Sequence, residues 1–294
     1  MLIGIDASRA VVAHRTGTEN YSLQVIRCLV AAGPEHRYRL YLRDTPPPGL
    51  LPTGPQTELR VLGPRRLWTH VGLSREVLGQ PPDVLFIPAH VVPIVHPRPT
   101  VVTVHDLGYR FFPRQHTLAA RLYLDVSTRF SARAAARIIA DSQATARDLE
   151  REYGVPADKI TVIYPGLDRT LSRADDVAQQ AVRQRYGLGR PFVLYVGTIQ
   201  PRKNLARLVE AFAHLPPEWA SVDLVLAGQA GWLSEHIHRR VRDLGLEGRV
   251  HFPGYVPAND LPALLSAAEC FVMPSLYEGC LLYTSDAADD LLCV

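Results

Sequence analysis

Short apolar runs alternate with helix-like segments along nearly the whole chain, and the rhythm is played twice. The first series is LIGI at 2–5, YRLYL at 38–42, LRVL at 59–62, DVLFI at 83–87, TVVTV at 100–104, RIIA at 137–140 and ITVI at 160–163. Amphipathic stretches such as ENYSLQVIRCLVAA and AARLYLDVSTRFSARAA lie between them. Runs of this length, continuously apolar and spaced by helical patterns, are the signature of parallel strands buried on both faces and joined by crossover helices. The first half therefore reads as a doubly wound α/β domain.

After ITVI the text turns polar in YPGLDRTLSRADD, and the rhythm restarts. FVLYV at 192–196, DLVLA at 223–227, VHF at 250–252 and CFVM at 270–273 read as strands, with helices expected over 203–214, 233–244 and 259–268. The chain is long for a single core at 294 residues, so two domains of one kind are expected, over 1–175 and 176–279. The Pro-rich DTPPPGLLPTGP at 44–55 reads as an excursion inside the first domain, because strand-like text resumes directly after it.

A net charge of only +3 lacks the basic excess of a nucleic-acid binder. Cys28, Cys270, Cys280 and Cys293 have neither metal-ligand spacing nor the density of a disulfide scaffold, and they read as buried small hydrophobes in a reducing compartment. No leader-like segment opens the chain and no apolar run reaches membrane-spanning length, so a cytoplasmic location is expected. Peripheral membrane contact stays open.

In open parallel sheets ligands bind beyond the carboxyl ends of the strands, which singles out four places. RTGTENYS at 15–22 follows the first strand; Gly17 permits close backbone approach and Thr18 opens a helix, though the same pair also serves as an ordinary cap. No G-x-G-x-x-G is present there, which argues against a dehydrogenase-type dinucleotide site. His105 and Asp106 end TVVTV, where an imidazole can exchange a proton near neutral pH or be a satisfied structural residue. Gly197 and Thr198 follow FVLYV, and Arg202 and Lys203 are expected at the start of the next helix, where cations oppose the macrodipole unless an anion sits among them. A phosphate or diphosphate would suit. Glu278 follows CFVMP in a loop with Gly279 and could accept hydrogen bonds from sugar hydroxyls.

Together YVGTIQPRKNL, GYVPANDLPALLSAAECFVMPSLYEG, RTGTENY, VTVHDLGY and ADSQATARDLEREYGVPADKITVIYPGLD resemble the retaining glycosyltransferases of family four, which have the two-domain GT-B fold. The resemblance runs from residue 1 to about 279. It implies two Rossmann-like domains, the second incomplete here, and transfer of a hexose from a nucleotide sugar to a glycan or lipid-linked acceptor. Arg202 and Lys203 would grip the donor diphosphate, with Thr198 beside them. Gly17 and Thr18 would lie against the donor phosphates or the acceptor, and His105 would contact the donor sugar. Glu278 matches the first carboxylate of the family's pair, and the backbone around Tyr255 and Val256 would meet the nucleobase. The resemblance leans towards mannosyltransferases, with GDP-mannose the favoured donor, in the cytoplasm or at the inner face of the membrane. With cations at the leaving group and no D-x-D pair in the chain, no metal is expected. The alternatives are a nucleotide-sugar epimerase of the same fold and a non-catalytic nucleotide-sugar binder.

The family pattern breaks at CLLYTSDAADDLLCV. The family's second glutamate would fall on Asp286, among neighbours that match nothing, and the acid reads as coincidence. Cys280 to Asp289 can be encoded by the transposase end and attached primer of a sequencing-library kit, so residues 280–294 are expected to be a non-native tail on a truncated reading frame.

Overall fold

The computed structural model describes residues 1–13, 15, 17–113, 117–166, 172–231 and 234–279. The expectations for 280–294, including Asp286, Cys280 and Cys293, lie outside the described residues. The chain divides into two compact units, Met1–Gly166 and Leu167–Glu278.

The first unit is built on seven strands: β1 (Leu2–Asp6), β2 (Arg37–Leu42), β3 (Thr57–Val61), β4 (Val84–Ile87), β5 (Thr100–Val104), β6 (Arg137–Ala140) and β7 (Ile160–Val162). All pair in parallel, in the order β3-β2-β1-β4-β5-β6-β7. Its helices are α1 (Gly17–Ala32), α2 (Ser74–Gly79), α3 (Gly108–Phe111), α4 (Leu118–Ala134) and α5 (Gln143–Tyr153). Alternate strand residues feed cores on opposite faces, as the pleat requires. Phe86 packs with Ile5, Leu40 and the α1 residues Leu23 and Ile26, whereas its neighbours Leu85 and Ile87 pack with Val102, Ile138 and Leu149 of α5. The helices on the second face start on side-chain caps: Thr117 accepts from the Ala120 amide at 3.2 Å and Ser142 from the Thr145 amide at 3.1 Å. The Pro-rich stretch links β2 to the adjacent parallel β3 without a helix.

The second unit has β8 (Phe192–Val196), β9 (Asp223–Ala227), β10 (Val250–Gly254) and β11 (Cys270–Phe271) in the parallel order β10-β9-β8-β11. It is covered by α6 (Asp176–Arg185), α7 (Leu205–Ala213), α8 (Glu235–Asp243) and α9 (Leu261–Ala267). Leu224 and Leu226 face Val209, Phe212, Ile237 and Val241 of α7 and α8; Val225 and Ala227 face Val182 and Leu264 of α6 and α9. Chain order reverses between β1 and β4 in the first sheet and between β8 and β11 in the second, and the crevices beyond those strand ends are where such sheets bind ligands.

Three expectations need correction. The helix expected from residue 203 starts at Leu205, because Pro201–Lys203 form a 3-10 turn and Asn204 takes a left-handed conformation at φ +57°. The last strand run, CFVM, pairs with β8 only through Cys270 and Phe271, the ladder closing with a 2.8 Å bond from the Val272 amide to the Leu194 carbonyl. Cys28 and Cys270 are unbridged but exposed, not buried: the first lies on the outer side of α1 and the second opens the short edge strand.

Candidate active site

In the second unit the loop after β8 is braced before it reaches any charged residue. Gly228, directly after β9, has φ +148°, and a side chain there would overlap the backbone carbonyl of Gly197. Only glycine lets these two strand ends approach so closely. The Ile199 amide donates to the Gln229 carbonyl at 2.9 Å, the Gly231 amide to the Ile199 carbonyl at 2.9 Å, and the buried Tyr195 hydroxyl to the Thr198 carbonyl at 3.2 Å. Thr198 therefore sits in a loop tied to the next strand's loop, and the Pro201–Lys203 turn follows from a fixed base.

That turn meets the segment after β11. The Leu276 amide donates to the Arg202 carbonyl at 3.0 Å, and an Arg202 Nη1 donates to the Tyr277 carbonyl at 3.2 Å. The Glu278 carboxylate receives Lys203 Nζ on Oε1, while Arg202 Nη1 lies 3.6 Å from Oε2. The three side chains are 16%, 13% and 13% exposed, so their charges are too poorly hydrated to be left uncompensated. The anion that the two cations demand is thus Glu278. Burial, with the Glu278 charge adding to it, pushes the ionisation of Tyr195 beneath this cluster well above the usual phenol range.

The structure thus brings Arg202, Lys203 and Glu278 together at the β8/β11 reversal. Tyr255 and Val256 follow β10, two strands from β8; the Val256 side chain is committed to the core with Leu264, and Tyr255 is exposed.

In the first unit Gly17 and Thr18 form the first turn of α1, where the Thr18 carbonyl accepts from the Ser22 hydroxyl at 2.9 Å. One turn on, Tyr21 places its ring edge-on to His105 at 4.8 Å between centroids, and its hydroxyl lies 3.3 Å from the Thr103 hydroxyl on β5. His105 is engaged at both nitrogens: Nδ1 with a carboxylate oxygen of Asp141 and Nε2 with the Pro88 carbonyl at 2.8 Å. Burial alone would lower its pKa, but the hydrogen bond and charge of Asp141, with the Pro88 carbonyl, outweigh burial and hold it above the ordinary histidine value. An imidazolium that donates from both ring nitrogens fits this geometry. His90, half-buried at φ +47° and 5.9 Å from His105 between ring centroids, shifts the other way, lowered by desolvation and by the His105 charge.

Sequence reasoning placed His105 at a strand end but missed its partners. Asp141 was readable by the same strand-end rule, since it follows RIIA directly. Pro88 acts through its backbone, and Tyr21 lies inside a helix, so neither carried a signal.

Two family models match: Glycosyltransferase Family 4 over residues 15–171 and Glycosyl transferases group 1 over residues 178–280. The O-antigen chain mannosyltransferase B of Escherichia coli is 33% identical over 181 residues, 61% of this chain and 48% of that protein. The GDP-mannose-dependent alpha-(1-6)-phosphatidylinositol monomannoside mannosyltransferase of Mycolicibacterium smegmatis is 28% identical over 176 residues, 60% of this chain and 43% of that protein. Both matches span less than half of the relative's length. Among solved structures, the Anabaena protein HepE in complex with UDP-glucose superposes with a TM-score of 0.64 at 22% identity, covering 92% of this chain and 72% of that one. That likeness identifies the two parallel α/β units as Rossmann-like domains of the GT-B type. With more than half of its length matched by one family model and most of the remainder by the other, the chain belongs to glycosyltransferase family 4.

Proposed function

We propose that this chain carries the donor-binding and transfer machinery of a hexosyltransferase that moves a sugar, mannose from GDP-mannose being favoured, from a nucleotide donor to a glycan or lipid-linked acceptor with retention. The observation that carries the reading is the Arg202, Lys203 and Glu278 cluster at the β8/β11 reversal. The mannosyltransferase relatives support the sugar, and the lipid named for the mycobacterial relative supports the acceptor class.

The chemistry follows from charge. Breaking the anomeric carbon–oxygen bond places negative charge on the leaving diphosphate and positive charge on the sugar. Arg202 and Lys203, held on a braced turn, would stabilise the diphosphate without reorganising at the moment of reaction. Donor binding would draw Lys203 from Glu278 towards phosphate, and the released carboxylate would accept hydrogen bonds from the sugar hydroxyls. In this proposal the two cations do the neutralising that a divalent metal does elsewhere, and Thr198 lies beside the phosphates. Tyr255 and Val256 would meet the base through their backbone, and Gly17 and Thr18 the phosphates or acceptor. His105, with both ring nitrogens already donated, would act on the donor sugar through its fixed charge.

The test is a transfer assay of the complete gene product across a panel of nucleotide sugars, with the anomeric configuration of the product read by NMR. Lys203→Ala is expected to lower kcat/KM by roughly 10²–10³-fold, the range for removing one preorganised charge stabiliser. Transfer is expected to survive EDTA. Unchanged turnover in Lys203→Ala, or an inverted product, would refute the reading.

A further inference from the structure

His90 stands in the loop after β4, beside the β1/β4 reversal of the first sheet, in a backbone conformation that its residue type avoids. It centres a three-residue turn at φ +47°, with the Val91 amide donating to the Ala89 carbonyl at 2.7 Å. Glycine takes such a turn at little cost, whereas a ring-bearing residue is strained there, and strain of this kind collects at ligand sites. Two bonds hold the residue in place. Its amide donates to the Thr103 carbonyl of β5 at 3.0 Å, and ring Nε2 lies 2.9 Å from the Asp106 carbonyl.

The Asp106 bond fixes the tautomer. A carbonyl oxygen can only accept, so Nε2 carries a proton. Desolvation and the His105 charge hold the His90 pKa below the ordinary value of 6.5, against the opposite pull of the Asp106 and Asp141 carboxylates, so the ring is neutral at neutral pH. Nδ1 is then a bare lone pair. It has no partner among the described residues, and it is not one of the polar atoms sealed from solvent. His105, 5.9 Å away between ring centroids, is in the opposite state, with its two nitrogens engaged by Asp141 and the Pro88 carbonyl. Of two neighbouring imidazoles, one is a fixed cation and the other a fixed acceptor.

A lone pair that accepts but cannot donate repels phosphate and carboxylate oxygens and binds a hydroxyl. It also suits one hydroxyl better than others. An attacking hydroxyl must give its proton into a hydrogen bond so that its own lone pairs are turned to the electrophile, and a partner with nothing to donate enforces that orientation. We propose that His90 Nδ1 accepts a hydrogen bond from the attacking hydroxyl of the acceptor sugar, which makes the loop after β4 part of the acceptor site. The proposal rests on the transferase reading and assigns a residue to its acceptor.

The complete gene product, labelled with nitrogen-15 histidine, tests the site before any turnover, with His90→Gln identifying the His90 signals. At neutral pH the Nδ1 resonance should lie in the range of an unprotonated imidazole nitrogen. The methyl glycosides of mannose, glucose, galactose and N-acetylglucosamine are then added in turn to saturation, and at least one should move it. A protonated Nδ1, or no response to any of the four, would overturn the proposal. Turnover with the responding glycoside separates binding from a merely structural role. His90→Gln keeps an amide for the Asp106 carbonyl but removes the acceptor at Nδ1, and should raise the acceptor KM about tenfold, as loss of one hydrogen bond to substrate does, with a smaller change in the donor KM. His90→Asn places an oxygen near the Nδ1 position and tolerates positive φ, so it should recover most of that loss. In the wild type the acceptor KM should rise as pH falls below about 6.5 and Nδ1 gains a proton, while in His90→Gln it should stay level. Equal rises in both KM values, or identical behaviour of the Gln and Asn variants, would reduce His90 to a structural residue. A protein whose Nδ1 responds to a glycoside but which transfers no sugar would support the site and refute the transferase reading.

Discussion

At His105 the charge on the ring depends on a single neighbour. Asp141 is the largest opposing influence on burial there, through both its hydrogen bond and its charge; the Pro88 carbonyl and Asp106 add to the effect, and His90 and the Tyr21 ring stand beside it. In Asp141→Asn the hydrogen bond is retained while the charge is lost, so the His105 titration followed by NMR should move to lower pH. The sign for stability follows. A histidine whose pKa is raised on folding contributes stability that is full below its ordinary value of about 6.5 and is lost as pH rises through the folded-state value. The gap in unfolding free energy between wild type and Asp141→Asn should therefore be widest on the acidic side of that window and close above it. Asp141→Ala, which strands a buried charge, should cost about 3 kcal/mol in chemical denaturation. If His105 titrates identically in both proteins, the pairing does not set its charge. The same scale shows what could be read in advance. Arg202, Lys203 and Glu278 were legible because each lies in a loop that follows a strand run, but the Lys203–Glu278 pairing spans 75 residues and is created by the β8/β11 neighbour relation. The His105–Asp141 pair spans 36 residues and hides for the same reason.

Among elements, the strands were the legible part and their ends were not. All eleven apolar runs contain strands, and the central ones, such as the fully buried β9, read most clearly because burial on both faces writes itself as unbroken hydrophobic text. Ends are decided by local geometry that periodicity does not see: a left-handed Asn204 delays α7, and the last strand stops after two paired residues. The site depends on one of these local decisions, the close approach of the β8 and β9 ends at Gly197 and Gly228. A methyl group at Gly228 must push the Gly197 carbonyl aside, and that carbonyl belongs to the loop leading to Thr198 and Lys203. Gly228→Ala should accordingly lower stability by about 1–3 kcal/mol, the range for overpacking a tight site, and weaken binding of a nucleotide diphosphate in calorimetry. By comparison Asp175→Ala, which removes the 2.8 Å cap on the Ala178 amide at the start of α6, should cost about 1 kcal/mol and leave nucleotide binding unchanged. Equal effects of the two variants on binding would mean that the glycine contact does not position the site.

Over the whole molecule, the repeated rhythm implies two sheets with separate cores, and each unit has a pair of hydrophobic clusters, one per sheet face. The first pair is drawn from residues 5–155 and the second from residues 182–267. Stability in such a chain is a property of each unit, because a cooperative unit is the set of residues that share buried contacts. Two of the substitutions above then make a joint prediction that neither makes alone. In native-state hydrogen exchange, Asp141→Ala should lower protection across β4–β7 while β8–β10 keep theirs, and Gly228→Ala should do the reverse. The free-energy losses, measured as separate transitions in denaturant, should add within about 0.5 kcal/mol in the double variant, as sites with no shared partners do. Loss of protection in both sheets from either substitution would show that the two cores unfold as one.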